Sequence, residues 1–354
     1  MSRSFLTVLV ALVITMGAFL VASVYGFSAH TARMTSVAPV LALVEASESA
    51  LMDMMAQGGK TTPRYTEAEA QLATAARAAE PALIGALSAE SLDVARPAAY
   101  ALGYANDADA AASALVAALR RNDEGLTNNV GLSLMALAEK HPSLDVPLPP
   151  LIRKLHSHTW TDQQKIGQVI QVLAMHRPIA DPNGELAQAL IPMLLSQRSR
   201  VRDPARDILP RVTGQSLGNK AERWVAWFAQ RHGRSIDLTS AIYELLQIVR
   251  PSMVENVAVF TVAGQEYRDL DALVARLAAD AMTTRNLGRQ FAIAVQIPEQ
   301  GYPPDRMETL GEALFTRLAP IELVISPMGD DFHPFDAALA RLQRLSADTV
   351  GAAK

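Results

Sequence analysis

The chain contains no cysteine, which excludes disulfides, thiolate zinc sites, iron–sulfur clusters and cysteine nucleophiles. Aromatic residues make up only 5% of the 354 residues, whereas apolar residues make up 50%. A low aromatic share with abundant alanine and leucine favours helix packing over a β-sandwich. The composition therefore predicts a mainly α-helical protein, long enough for two or three domains.

A strong charge of either sign is also lacking. The net charge of −4 gives no overall positive field for a nucleic-acid backbone, so we expect no nucleic-acid partner. Glycine-rich phosphate loops and the Gly-x-Ser-x-Gly elbow of serine hydrolases are absent from the sequence. The sequence thus predicts a binding protein with no catalytic residues, no cofactor and no metal.

The N-terminal segment Phe5–Phe27 is uncharged and long enough to cross a hydrocarbon core of ~30 Å as a helix. Its length favours an uncleaved signal anchor (residues 1–27) over a signal peptide, whose apolar core spans only ~7–15 residues. Cleavage after Val21–Ser23, giving a secreted protein, stays the alternative. With Arg3 before the span and Arg33 beyond it, the positive-inside signal is weak, and it is the short N-terminal segment that favours a cytoplasmic N-terminus. We therefore expect a single-pass protein of a bacterial inner membrane with its bulk in the periplasm.

Residues 28–80 are predicted to form a helical stalk, and four segments within residues 81–233 then repeat one apolar pattern. The repeats are spaced by 32, 36 and 39 residues, and each has apolar residues fifteen and nineteen positions after its start. This register predicts one helical hairpin per repeat, and stacking is needed because one hairpin cannot cover its own apolar face. The register positions are Leu83, Leu115, Leu151 and Leu190; Ala98, Val130, Ile166 and Ala205; and Leu102, Leu134, Ile170 and Leu209.

The segment Leu92–Gly103 resembles the HEAT-like repeat named after phycobilisome lyases, with Asp93 and Arg96 three apart ahead of Leu102 and Gly103. The segment Arg200–Leu209 is similar. The resemblance covers roughly residues 79–213 and implies a solenoid that binds protein partners. The second and third repeats carry Asn or Gln where the family has Arg, so the polar ladder of the family is incomplete.

A Thr213–Gly214 turn followed by Trp224 and Trp227 resembles the tail seen after bacterial HEAT arrays. A terminal repeat exposes one apolar face, and two large rings three residues apart lie on one helix face. We therefore predict that Trp224 and Trp227 form a C-terminal cap on the repeats.

The pattern changes after residue 233. The spacing of Ile242, Leu245, Leu246 and Val249 predicts a linker helix over residues 234–252, with Pro251 as a boundary. Alternating strands and amphipathic helices then predict a small two-layer βαβαβ domain over residues 253–327, followed by a C-terminal helix and tail over 328–354. The predicted elements are strands Val257–Val262, Phe291–Ile297 and Ile321–Ile325, with helices from Leu270 and Met307 between them.

The opening Val259–Tyr267, with Leu270–Leu277 behind it, resembles the periplasmic domain of the ExbD/TolR family, accessory subunits of proton-driven motors. The resemblance covers about residues 255–327 and implies an accessory subunit of an energised envelope complex. The chain departs from the family because Phe5–Phe27 lacks the acidic residue that couples protons in its membrane helix.

The densest basic stretch of the chain is Arg198, Arg200, Arg202 and Arg206. Acidic residues at Asp203 and Asp207 favour a salt-bridged, solvated face. The alternative is a partner-binding surface for lipid headgroups or an acidic protein.

Two further groups of polar residues have a functional and a structural interpretation. His156 and His158 with Asp162 predict a solvated turn more readily than a zinc site, which needs further ligands. Asp330, Asp331 and His333 predict a helix cap more readily than a cation or acid–base site.

The sequence thus favours a non-enzymatic, membrane-anchored, extracytoplasmic scaffold whose HEAT-like solenoid binds protein partners, such as subunits of membrane complexes. One alternative is the accessory subunit implied by the ExbD/TolR resemblance. Another is a hydrolase or lyase with its site in the C-terminal α/β domain. Homo-oligomerisation is left open.

Overall fold

The structure is a computed structural model that describes residues 37–54, 61–296, 302–319, 321–326 and 331–352. These residues are mainly helical, with one mixed five-stranded sheet in the C-terminal part. Within these ranges no helix has both the length and the apolar character needed to span a membrane. The predicted membrane segment Phe5–Phe27 lies outside the described residues.

The chain divides into two compact units. The first unit ends at Lys154 and also includes Met175–Arg177, and the second contains Leu155–Ala174 and everything from Pro178 onward. The second unit therefore contains both helices and the sheet.

The first unit is built from helices that pack in pairs. Helix α3 packs on α4 and α5 on α6, while α3 also contacts α5 and α4 packs extensively on α6. Side-chain N-caps at Thr62, Ser91, Asp107 and Asp123 accept backbone N–H groups and start four of the helices. The helices are α1 (residues 37–54), α2 (Pro63–Ala78), α3 (Glu80–Ala86), α4 (Leu92–Ala101), α5 (Ala108–Ala118), α6 (Glu124–Lys140) and α7 (Leu148–Leu155).

Polar contacts join the second helices of consecutive pairs in the first unit. Arg96 on α4 makes a bidentate ion pair with Asp123, the N-cap of α6, at 2.8 and 2.7 Å. Asn129 of α6 donates to the Arg96 carbonyl at 3.0 Å. A Cβ placed at Gly103 would lie 3.2 Å from the Ser133 Cα, so the glycine permits close approach of the two backbones.

Four helices of the second unit continue the helical part of the chain. Helix α10 packs on α9, and α11 also packs on α9. Gln171 of α8 donates to Asp207 of α10 at 2.9 Å, and a Cβ at Gly167 of α8 would lie 3.1 Å from Pro204 of α10. These helices are α8 (Trp160–His176), α9 (Glu185–Met193), α10 (Ser199–Thr213) and α11 (Ala221–His232).

The twelve positions of the sequence register are buried alike in both units. All have 0% exposure, from Leu83 in α3 to Leu209 in α10. The apolar spacing therefore identifies the core-facing side of each helix.

The two tryptophans of the predicted cap differ in burial. Trp224 is buried and donates its indole N–H to the Gly218 carbonyl at 2.7 Å. Phe228, one turn later, is fully buried, whereas Trp227 is half-buried with its ring 5.9 Å from that of Trp224. Trp224 and Phe228 thus supply the buried face of α11, and Trp227 packs beside them.

The sheet has the strand order β3-β2-β1-β4-β5. Strand β1 pairs parallel with β4 and antiparallel with β2, and β4 pairs parallel with β5. Glu255 and Asn256 have positive φ angles of 50° and 62° and form the tight turn between β1 and β2. The strands are β1 (Glu244–Val254), β2 (Val257–Val262), β3 (Gln265–Tyr267), β4 (Gln290–Gln296) and β5 (Glu322–Ser326).

Three helices complete the second unit: α12 (Leu270–Asn286), α13 (Pro304–Leu318) and α14 (Phe335–Ala352). Helix α12 packs on β1 and β4, and α14 packs on β1. Gln247 of β1 donates to the buried Asp280 carboxylate of α12 at 2.6 Å, which gives this carboxylate a hydrogen-bond partner.

The predicted linker helix over residues 234–252 is wrong. The structure has strand β1 at Glu244–Val254, with Pro251 inside it opposite Phe260. Residues 245–249 are all buried, the polar Gln247 included, so the strand shows a continuous buried run in place of an alternating pattern. The structure also adds β3, so the order is β-β-β-α-β-α-β-α and not βαβαβ.

Candidate functional site

The predicted basic stretch begins in the turn between α9 and α10. Helix α9 is capped at Leu194, and α10 begins at Ser199 with Arg198 as an extended N-cap residue, φ −89° and ψ 122°. This extended residue forms an isolated antiparallel bridge with Phe332. The turn therefore runs beside the sheet and brings its side chains to the first residues of β1.

Gln197 in this turn binds the edge of β1 through its side-chain amide. Its Oε1 accepts the Leu246 N–H at 2.7 Å, and its Nε2 donates to the Leu246 carbonyl at 2.8 Å. The Nε2 also donates to the His333 carbonyl at 3.0 Å. Strand β2 pairs with β1 only from Arg250 onward, so Gln197 satisfies a part of the edge that β2 leaves open.

Arg198 is the most buried arginine of the stretch, with 3% of its side chain exposed. Its guanidinium makes a bidentate pair with Glu244 at 3.1 and 3.0 Å and contacts Glu322 at 3.2 Å. It also stacks over the Trp160 ring, 4.2 Å from the centroid. One cation thus joins α8, α10, β1 and β5.

Two carboxylates share this single guanidinium. Burial raises the pKa of Glu244 and the neighbouring Glu322 adds to the rise, against the opposing charge of Arg198, so that the net pKa is about 7. The Trp160 indole N–H donates to Glu322 and orients that carboxylate. In the cluster of Trp160, Arg198, Glu244 and Glu322, burial therefore favours the protonated form of Glu244.

The other predicted arginines have different environments. Arg202 donates to the Ser196 and Gln197 carbonyls at 3.0 and 2.6 Å and to the Asp331 carbonyl at 3.0 Å. Arg206 is exposed and pairs with its helix neighbours. Arg200 is exposed on α10.

The four arginines therefore do not form one surface. Arg198 and Arg202 hold the α9–α10 turn against the sheet and the segment at Asp331, and only Arg200 and Arg206 point to solvent. Of the predicted basic stretch, these two exposed side chains are the ones accessible to a partner.

A small cleft of about 110 Å³ lies beside Glu244. The turn at His156–His158 lines one side, and the segment Ser240–Glu244 lines another. The His158 ring packs against Tyr243 at 5.3 Å, and Gln163 donates to the Leu155 and Ser157 carbonyls. The described ranges contain no group of three or more side chains placed to hold a metal ion.

The cleft is small for organic ligands, whose pockets typically occupy about 300–1,000 Å³. It also lies at the amino end of β1, whereas open α/β sheets bind ligands at the carboxyl ends of their strands. The groups that it presents are the Glu244 carboxyl and the imidazoles of His156 and His158. The arrangement is suited to joining helices to the sheet rather than to holding a substrate.

The predicted loop site at Asp330, Asp331 and His333 is only partly described, because residues 327–330 lie outside the described ranges. The Asp331 and His333 backbones hydrogen-bond to Ser199 and Gln197. No pattern of the sequence was taken to indicate Trp160, Gln197, Glu244 or Glu322. A glutamate at the start of each of two apolar strands, β1 and β5, was the available signal.

No protein-family model matches the chain, and a search of curated proteins finds none that matches it.

Proposed function

We propose that the protein is a non-enzymatic adaptor that binds protein partners through a HEAT-like solenoid. It is held outside the cytoplasm by its N-terminal apolar segment. The partners are proteins of membrane complexes, and the helices of the first unit present the binding surface.

The observation that supports this role is the common burial of the twelve register positions. Helical repeats with a shared register pack hairpin on hairpin, and such repeats typically offer an extended surface to other proteins. The polar contacts of Arg96 with Asp123, and of Asn129 with Arg96, fix α4 against α6. A rigid surface loses little entropy when a partner binds.

The proposed binding face is the side of α4 and α6 that carries partly exposed apolar residues. Pro97 and Tyr100 lie on α4, and Leu132 and Met135 lie one turn apart on α6. Each is half-buried, so a partner can cover it further. The exposed positions of α5, such as Ser113 and Ala117, carry small side chains that offer little apolar surface to a partner.

A charge-insertion experiment tests this face. We expect Leu132→Glu with Met135→Glu in the detergent-solubilised full-length chain to abolish recovery of partners that the wild type retains. The matched control, Ser113→Glu with Ala117→Glu, adds the same charge on α5 and leaves recovery unchanged. Recovery of identical partners by wild type and both variants would show that the α4–α6 face is not the binding element.

The proposed location outside the cytoplasm is tested separately with an alkaline-phosphatase fusion at the C-terminus. The proposal expects an active fusion in a Gram-negative host, because this enzyme is active outside the cytoplasm. An inactive fusion with a normal protein level would place both units in the cytoplasm.

A further inference from the structure

A basic groove lies between α11 and α14 in the second unit, and it shares Leu195, Gln197 and Ile242 with the cleft beside Glu244. Its volume is about 470 Å³, within the usual range of binding pockets. Its apolar floor consists of Leu195, Ile242, Ala337 and Ala338. The polar residues that line it are Gln197, Asn219, Lys220, Glu222, His333, Arg341 and Arg344.

The groove has more cationic than anionic side chains. Arg341 of α14 pairs with Glu222 of α11 at 2.6 Å, which neutralises the one acid of the lining. Lys220 and Arg344 are exposed, and neither has a salt-bridge partner in the described part of the chain. Two cations therefore remain for a ligand.

The ionisation of His333, which also lines the groove, is affected by nearby charges. Partial burial lowers the pKa of His333, and the charges of Arg202 and Arg341 lower it further, against the opposing effects of Asp331 and Asp203. Among these charged residues Arg341 is the one that lines the groove, and its positive charge favours an anionic ligand.

We propose that this groove binds an acidic segment of a protein partner. Apolar side chains of the segment cover Ile242, Ala337 and Ala338, while its carboxylates pair with Lys220 and Arg344. This surface is independent of the α4–α6 face, so the chain has two partner-binding surfaces.

The shape of the site favours a peptide over a lipid membrane. The cations border a recessed groove with a buried floor, as Leu195, Ile242 and Ala338 show. A bilayer surface cannot enter such a recess, whereas an extended peptide can place alternate side chains on the floor and at the rim.

The probe is a fluorescein-labelled ten-residue peptide of alternating glutamate and leucine, measured by fluorescence anisotropy with the solubilised full-length chain. We expect saturable binding that weakens with added salt. The variant Lys220→Glu with Arg344→Glu should weaken binding by at least about tenfold, because two attractive contacts become repulsive. A peptide with glutamine in place of glutamate should not bind measurably.

The control Arg223→Glu with Arg231→Glu makes the same charge change on α11 outside the groove and should leave the affinity within about twofold. The milder pair Lys220→Gln with Arg344→Gln should give an intermediate loss and a wild-type thermal transition, which excludes unfolding as the cause.

Equal binding by the two charge-reversal variants, or no binding to wild type, overturns the proposal. Binding to vesicles with anionic lipid but not to the peptide, lost in Lys220→Glu with Arg344→Glu, overturns it in favour of a membrane. Loss of partners on mutating Leu132 and Met135 does not bear on this result.

Discussion

The two units are stabilised in different ways. In the first unit, helices pack through aliphatic and alanine side chains, and its polar links such as Arg96–Asp123 are local to neighbouring helix pairs. In the second unit, a sheet is joined to helices by buried polar groups far apart in sequence, above all Gln197 and Arg198. The first arrangement distributes its stabilisation over many apolar contacts, whereas the second depends on a few hydrogen-bonded side chains.

The comparison can be measured because the two units have different spectroscopic probes. All three tryptophans, Trp160, Trp224 and Trp227, belong to the second unit. Tryptophan fluorescence therefore follows unfolding of the second unit alone, and far-ultraviolet circular dichroism follows the helices of both.

The largest effect is expected for Arg198→Ala. At pH 8, above the pKa of Glu244, removing this guanidinium leaves the buried Glu244 carboxylate without its cation, which costs about 3–5 kcal/mol of unfolding free energy. Denaturant unfolding followed by tryptophan fluorescence should show this loss. The matched variant Arg206→Ala removes an exposed arginine from the same helix, whose surface pairs contribute about 0–1 kcal/mol. Similar losses in both variants would contradict the structural role of Arg198.

A smaller loss is expected for Gln197→Ala. The change leaves the Leu246 N–H and carbonyl without their side-chain partner at the sheet edge, which costs about 2–3 kcal/mol. The tryptophan transition should move to a lower denaturant concentration. Gln215→Ala, at an exposed position after α10, serves as the control and should leave the transition in place.

The first unit is tested by Gly103→Ala. The added Cβ would lie 3.2 Å from the Ser133 Cα, so overpacking outweighs the entropic gain and costs about 1–2 kcal/mol. The same substitution at Gly311 in α13 meets nothing within 4 Å and should stabilise by about 0.5–1 kcal/mol. We expect Gly103→Ala to lower only the dichroism transition. A shift in the tryptophan transition would show that the two units unfold together.

Repetition in the sequence was sufficient to predict the helical register. Equivalent positions such as Leu83 and Leu190 carry the same signal, and all twelve are buried. The strands β2, β4 and β5 and the helices α12 to α14 were predicted within a few residues, because their patterns alternate or are strongly periodic.

Long-range polar pairing was not predictable from the sequence. Arg198 was assigned to a surface because its nearest acids in sequence are Asp203 and Asp207, but its partner Glu244 is 46 residues away and Glu322 is 124 away. Strand β1 was read as a helix because a strand buried on both faces loses its alternation. Both errors arise from tertiary contacts that no local pattern contains.

The last expected effect is the pH dependence of the second unit. Burial and Glu322 raise the pKa of Glu244 to about 7, so between about pH 4.5 and pH 7 the folded state holds a proton that the unfolded state has released. This contribution to stability is complete at low pH and is lost as pH rises through 7, with a slope of at most about 1.4 kcal/mol per pH unit. The lowered pKa of His333 acts in the opposite direction, since its neutral form is favoured on folding.

The Glu244 contribution is therefore isolated as the difference between wild type and Glu244→Gln, each unfolded by denaturant from pH 5 to pH 8 and followed by tryptophan fluorescence. The difference should fall as pH rises and then level off, while the exposed Glu266→Gln control shows a constant difference. In the first unit the Arg96 guanidinium lowers the pKa of Asp123. The contribution of this ion pair to stability is therefore lost only when the pH falls into the acid range. A difference that grows from pH 5 to pH 7 would mean that Arg198 stabilises the Glu244 carboxylate more than burial opposes it, and both units would then be stabilised by ionised carboxylates.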